Sequence, residues 1–120
     1  MERDVHRTPT ERVRLAHLAA EAVAVTGGVT ATAGPAGLWR TQDGERAIPG
    51  VVAIALPEGR FEIALHLDAL WPPEPFEVVA GSVRDRLQRL ARTAGLGDRL
   101  GPVEVAFHDV RAPLADEGLR

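Results

Sequence analysis

The most regular pattern in the chain is "RFEIALHLDALW", where Phe61, Ile63, Leu65 and Leu67 alternate with Glu62, Ala64, His66 and Asp68. A period of two predicts a strand with one face buried, running from Phe61 to Leu70. Before it, "VVAIAL" at 51–56 predicts a partner strand, with "PEGR" as the connecting turn of a hairpin. "WPPEP" stops the sheet, because proline cannot donate to a ladder. The pattern then shifts to a helical period. Phe76, Val79, Ala80, Val83, Leu87, Leu90, Ala91 and Ala94 fall in one arc of a helix, with Pro75 near its first turn. Ser82 offers an alternative start. Gly95 fits the position just past the helix, with Leu96 as its apolar follower. A last strand alternates from Val103 to about Val110, with Val103, Val105 and Phe107 on its apolar face.

An earlier helix runs to about Val23 or Val25. Thr8, Pro9 and Glu11 suit a capping box, and Gly27-Gly28 suits its end. Its inner face is expected to hold Leu15, Leu18, Ala19, Ala22 and Val23, while His17 and Glu21 pair four apart on the outside. Residues 26–50, rich in glycine, carry the weakest signal. They allow a short strand around Leu38 to Thr41, turning at Asp43-Gly44, or a mobile segment. The order is therefore α-β-β-α-β. It predicts an α+β fold, with a small mainly antiparallel sheet and two helices packed on one face. The domain spans 10–111, between a tail at 1–9 and another at 112–120.

Composition narrows the chemistry. The chain has 120 residues, 45% of them hydrophobic, which suits one domain with a real core. It has no Cys, which excludes disulfides, a thiolate nucleophile and Cys-ligated metal. All 14 basic residues are Arg, which excludes Schiff-base lysine chemistry and a P-loop lysine. Ser82, the only serine, lies in "AGSVR" and lacks the glycines of a nucleophile elbow. The net charge of −3 disfavours nucleic acid as a partner. The charged start "MERDVHRTPTER" has no apolar run of the signal-peptide kind, and no stretch approaches the roughly 20 apolar residues of a membrane span. A cytoplasmic location is expected.

If the strands pair simply, Val52, Ile54, Leu56, Phe61, Ile63, Leu65, Leu67, Val103, Val105 and Phe107 lie under the helices. The opposite face then carries Val51, Ala53, Ala55, Glu62, Ala64, His66, Asp68, Glu104, Ala106 and His108. Such a face is most simply the wet side of an antiparallel sheet. Its small apolar residues also suit an interaction surface for self-association. His66 and His108, with Glu62, Asp68 or Glu104, could form a nitrogen and oxygen metal site, though no ligand spacing such as H-E-x-x-H marks one. On the second helix, Arg86, Arg89 and Arg92 share a side, with Asp85 spaced to pair Arg89. That side is either a solvated face or a surface for an anionic partner. Trp71 is expected to cap the edge of the core and Phe76 to lie within it. Trp39 is expected to be exposed, where it could anchor a partner. His6 and His17 are expected at the surface.

The element order resembles the alkaline shock protein family, the bacterial envelope stress response proteins. The resemblance covers residues 10 to 111 and rests on four pieces: "ERVRLAHLAAEAVAVTGGV", "GVVAIALPEGRFEIALHLDAL", "PFEVVAGSVRDRLQRLARTAGL" and "GPVEVAFHDV". The chain departs from the family in "LWPPEP" and in its 26–50 segment. The resemblance implies a non-enzymatic scaffold, without cofactor or metal, that self-associates and is recruited near the cytoplasmic membrane by a small membrane-protein partner. It carries over no catalytic residue. The order also distantly resembles a KH-like RNA-binding module, whose function would then fall to the arginine face. Such a module clamps nucleic acid with a G-x-x-G loop, and "GDRLG" at 97–101 has one residue too many.

Overall fold

The computed structural model describes residues 10–112. The tail expected at 1–9, with His6, Thr8 and Pro9, and the tail expected at 112–120, apart from Ala112, lie outside the described residues. Helix α1 spans Glu11–Val25. Its cap is Thr10 and not Thr8: the Thr10 hydroxyl accepts from the Val13 amide at 3.2 Å. Val13 stands at the third helical position and cannot return the second bond of a capping box. Glu11 supplies the acidic first turn instead. The helix ends as expected before Gly27-Gly28, where Thr26 donates its hydroxyl to the Ala22 carbonyl at 2.8 Å.

The expected strands are present, with additions. Strand β1 is Val29–Ala31, β2 is Arg40–Asp43, β3 is Arg46–Pro49, β4 is Val51–Ala55 and β5 is Phe61–Leu70. Helix α2 spans Phe76–Thr93, not starting at Ser82, and β6 spans Leu100–Arg111. Strand β5 is the spine. Strands β1 and β4 pair antiparallel with successive halves of one of its edges, and β6 pairs parallel along the other. The crossover through α2 makes β6 parallel, since a hairpin could not. Both helices cover one face of this sheet, consistent with the expected α+β class.

The segment 26–50 is ordered into β1 and the β2–β3 ribbon, which turns after Asp43 as expected. The ribbon is tied to β4 by one side chain. The buried Thr41 hydroxyl donates to the Val51 carbonyl at 2.7 Å and accepts from the Ala53 amide at 3.1 Å. Ile48 of β3 joins the core.

Strand β4 faces the opposite way from the simple expectation. Val51, Ala53 and Ala55 pair with Leu65, Ile63 and Phe61 on the helix side. Val52 and Ile54 pair with Ala64 and Glu62 on the other. The cause is the turn. The Leu56 amide bonds the Arg60 carbonyl at 2.8 Å, so the loop is the three residues Pro57–Gly59 and not the four of "PEGR". A shift of one residue in register turns every side chain of a strand over. The small inward residues fit α1, whose Ala16, Ala19 and Ala22 are fully buried and admit a close approach. Leu15, Leu65, Leu67 and Leu87 fill the space between the layers. Each contributes about 1.5–3 kcal/mol on burial.

The loop sets Glu58 at φ 70° and Gly59 at φ 75°. A left-handed glutamate is strained and a glycine there is not. Glu58→Gly is therefore expected to leave stability unchanged or raise it by up to about 1 kcal/mol. Urea unfolding checks this, and a loss above that size would show that Glu58 has a structural role.

Helix α2 buries Val79, Ala80, Val83, Leu87 and Ala91, as its wheel predicts. Its end forms the expected glycine motif. Gly95 takes φ 78°, the Leu96 amide donates to the Ala91 carbonyl at 2.7 Å, and Leu96 is buried. Phe76 departs from expectation: it is exposed and stacks on Phe107 of β6 at 4.3 Å between ring centroids. Trp71 also departs, being 61% exposed. The prolines after it carry the chain off the sheet before it reaches the core.

Candidate functional site

The open face of the sheet, away from the helices, gathers most of the residues singled out by the sequence. Glu62, Ala64, His66 and Asp68 come from β5, and Glu104, Ala106 and His108 from β6. Ala64 lies beside Glu104 and His66 beside Ala106 in the parallel register. Ala53 and Ala55 do not belong to this face, because the three-residue loop turns them to the helix side. Val52 and Ile54 take their place, and Ile54 is 45% exposed.

The far end of this face is built differently. Strand β6 has a bulge: Leu67 pairs with Phe107 and Asp68 with Asp109, leaving His108 as the extra residue. A bulge re-aims a side chain. His108 Nε2 lies 2.9 Å from His66 Nδ1. Past the bulge, Arg111 Nε donates to Asp68 Oδ2 at 3.0 Å, and Asp68 is only 5% exposed. The expected open-face Asp68 is thus a buried, paired carboxylate.

Trp39 covers the two histidines. Its ring centroid lies 4.3 Å from that of His66 and 4.1 Å from that of His108, with planes within 8° and 16° of parallel. The expected exposed tryptophan is half-buried against the sheet. Backbone holds it there: the Trp39 amide donates to the Ala33 carbonyl at 2.8 Å, and its carbonyl accepts from Gly50 at 2.8 Å. Gly34, at φ 74°, lies flat against the indole; a Cβ there would meet the ring at 2.3 Å. Local sequence gives no sign of this stack beyond the glycines around Trp39, because its partners lie 27 and 69 positions further along the chain (66 − 39 and 108 − 39).

The His66 pKa is lowered below its ordinary value of 6.5, first by burial and then by the nearby His108 imidazole. A folded value below the unfolded one means that the unfolded chain binds the proton more readily. The contribution of His66 to stability is then present above the unfolded value and is lost as pH falls through the folded one. Chemically, two neutral imidazoles at this distance share one N–H···N hydrogen bond. Among the described residues no group of three or more His, Cys, Asp or Glu is arranged to hold a metal ion, so Glu62, Asp68 and Glu104 do not complete a ligand set with the pair.

The arginine face of α2 is divided. Arg86 and Arg89 line a groove between α1 and α2 together with Glu21 and Val25. Arg92 lines a separate hollow with Gln88 and Asp98. Asp85 does not pair with Arg89. Ion pairs among the described residues join Glu11 to Arg99, Asp68 to Arg111 and His17 to Asp43. His17, expected to pair with Glu21, instead meets Asp43 of the ribbon at 2.8 Å.

Comparison of the chain with protein-family models, with curated proteins and with solved structures finds no match.

Proposed function

We propose that the protein is a non-catalytic interaction module of the alkaline-shock-protein kind. It associates with copies of itself through the open sheet face and is recruited near the cytoplasmic membrane by a small membrane-protein partner, in the service of the cell envelope. One observation carries the self-association: β4 turns Val52 and Ile54 away from the helices and Val51, Ala53 and Ala55 toward them, so the exposed side of the strand carries its largest residue, Ile54. With Ala64 and Ala106 beside them, these residues make an apolar, low-relief strip rimmed by Glu62 and Glu104. A contiguous apolar strip with a polar rim is the usual mark of an interface. No helix among the described residues is long and apolar enough to cross a membrane, which fits recruitment through a partner.

Placing a carboxylate in the strip tests the reading. Ala64→Glu and Ile54→Asp are each expected to weaken self-association at least tenfold, because a buried unpaired charge costs well over 1.4 kcal/mol. Light scattering across a dilution series should show oligomer for the parent chain and monomer for both variants. A monomeric parent, or variants with unchanged mass, would defeat the proposal.

A further inference from the structure

The two imidazoles meet head-on. Their planes are within 15° of each other, and the centroids are 5.1 Å apart, close to the 2.9 Å between nitrogens plus the two ring radii. The nitrogen lone-pair axes therefore point at each other. Lone pairs that converge on a shared metal ion would instead meet at an angle. The space between these nitrogens fits one proton, with one ring donating and the other accepting. The indole of Trp39 lies flat across both rings.

We infer that Trp39, His66 and His108 form a proton-operated clasp, which holds the Trp39 segment on the open sheet face while the histidine pair keeps an acceptor nitrogen and releases it when both rings are protonated. The pair takes up protons in two macroscopic steps. After the first, one ring still accepts, and the cation beneath the indole is favourable. After the second, no acceptor remains, and two like charges stand at hydrogen-bond distance. The hydrogen bond that aligns the rings is lost, and with it the flat platform for Trp39.

Surrounding charges leave this chemistry to the pair itself. Glu62 and Asp68 face the same side from β5, Glu104 and Asp109 from β6, and Asp68 is held by Arg111. Asp109 accepts from the Val110 amide. Arg40, which follows Trp39, is bound to the Gly37 carbonyl and to Gln42. Thr32, in the connection after β1, accepts from the Gly34 amide. Among the described residues neither imidazole has another hydrogen-bond or ion-pair partner.

Trp39 and Trp71 are the only tryptophans, so Trp71→Phe leaves Trp39 as the sole indole reporter. In that background the Trp39 emission is followed from about pH 8 to about pH 4.5, beside far-ultraviolet circular dichroism. The expected result is a reversible shift to longer wavelength, centred below about 6.5, with the dichroism unchanged. The shift should vanish in His108→Gln, which keeps a polar, non-titrating group at an exposed position. It should persist in Ala64→Glu, which separates the clasp from any self-association. Four results would each overturn the clasp: a flat emission profile, a shift that coincides with loss of dichroism, a shift retained in His108→Gln, or a shift lost in Ala64→Glu.

Discussion

Gly50→Ala is expected to destabilise the fold by about 4 kcal/mol, the middle of the roughly 2–6 given by about 1–3 for a left-handed alanine and about 1–3 for the overpacking it forces. Gly50 stands where β1 and β4 meet on one edge of β5. It takes φ 78°, and a Cβ there would lie 2.6 Å from the Ala31 Cβ and 3.0 Å from both the His66 carbonyl and the Thr32 amide. Those neighbours are backbone or a first side-chain carbon, so none can swing aside. The Gly50 amide also holds the Trp39 carbonyl, and its own carbonyl accepts from His66 at 2.8 Å. Gly44→Ala is the control. It has a similar φ of 62° with nothing within 4 Å of the added carbon, so it carries only the backbone cost, about 1–2 kcal/mol. At roughly 4–8 °C per kcal/mol for a domain of this size, Gly50→Ala should lower the Tm by more than about 10 °C. Equal losses for the two variants would mean that the junction of β1 and β4 is not as tight as described.

Much of this architecture was legible because its causes are local. The alternation of Phe61 to Leu67 and the spacing from Val79 to Ala91 each depend on neighbours in sequence. The Gly95-Leu96 ending of α2 does too. The same alternation brought His66 and His108 to one face, which the structure bears out at 2.9 Å. Errors arose where one residue in a loop decided the matter. "PEGR" counts four polar or turn-forming residues, but the chain closes over three, and the faces of Ala53 and Ile54 exchange. Hydrophobicity alone favours Val52, Ile54 and Leu56 inward, so the pattern pointed the wrong way. What it could not weigh was the alanine face of α1, which leaves little room beneath β4. Trp39 was misplaced for another reason. Its surroundings in sequence are Gly34, Pro35, Gly37, Leu38 and Arg40, and the surface that it covers comes from β5 and β6. Asp68 follows the same logic: β1 and β6 flank it on the central strand, and Arg111 meets it from beyond the bulge at His108.

That exchange of faces bears on the proposed function. With Val51, Ala53 and Ala55 outward, the open face would carry small apolar residues and little apolar area for a partner to cover. With Val52 and Ile54 outward, it presents an apolar strip that water disfavours, next to a stacked aromatic platform. Strip and platform lie on one surface, so acid opening of the Trp39 segment would reshape one end of the surface proposed for association.

Thr41→Val is expected to cost about 2–6 kcal/mol, although it exchanges a hydroxyl for a methyl of nearly the same shape in a buried position. Thr41 is 3% exposed, and among the described residues its hydroxyl is the partner of two backbone groups on the outer edge of β4, the Val51 carbonyl and the Ala53 amide. Valine leaves both without a partner, at about 1–3 kcal/mol each. Thr41→Ser keeps the hydroxyl and loses one methyl, which costs about 1 kcal/mol. The two terms thus oppose each other: hydrophobic burial alone ranks valine above serine, and backbone satisfaction ranks serine above valine. Denaturant unfolding of both variants decides between them. Serine as the milder change would confirm that a single hydroxyl joins the β2–β3 ribbon to the sheet; valine as the milder would mean that the edge of β4 finds its partners elsewhere and that the ribbon is held by Ile48 packing instead.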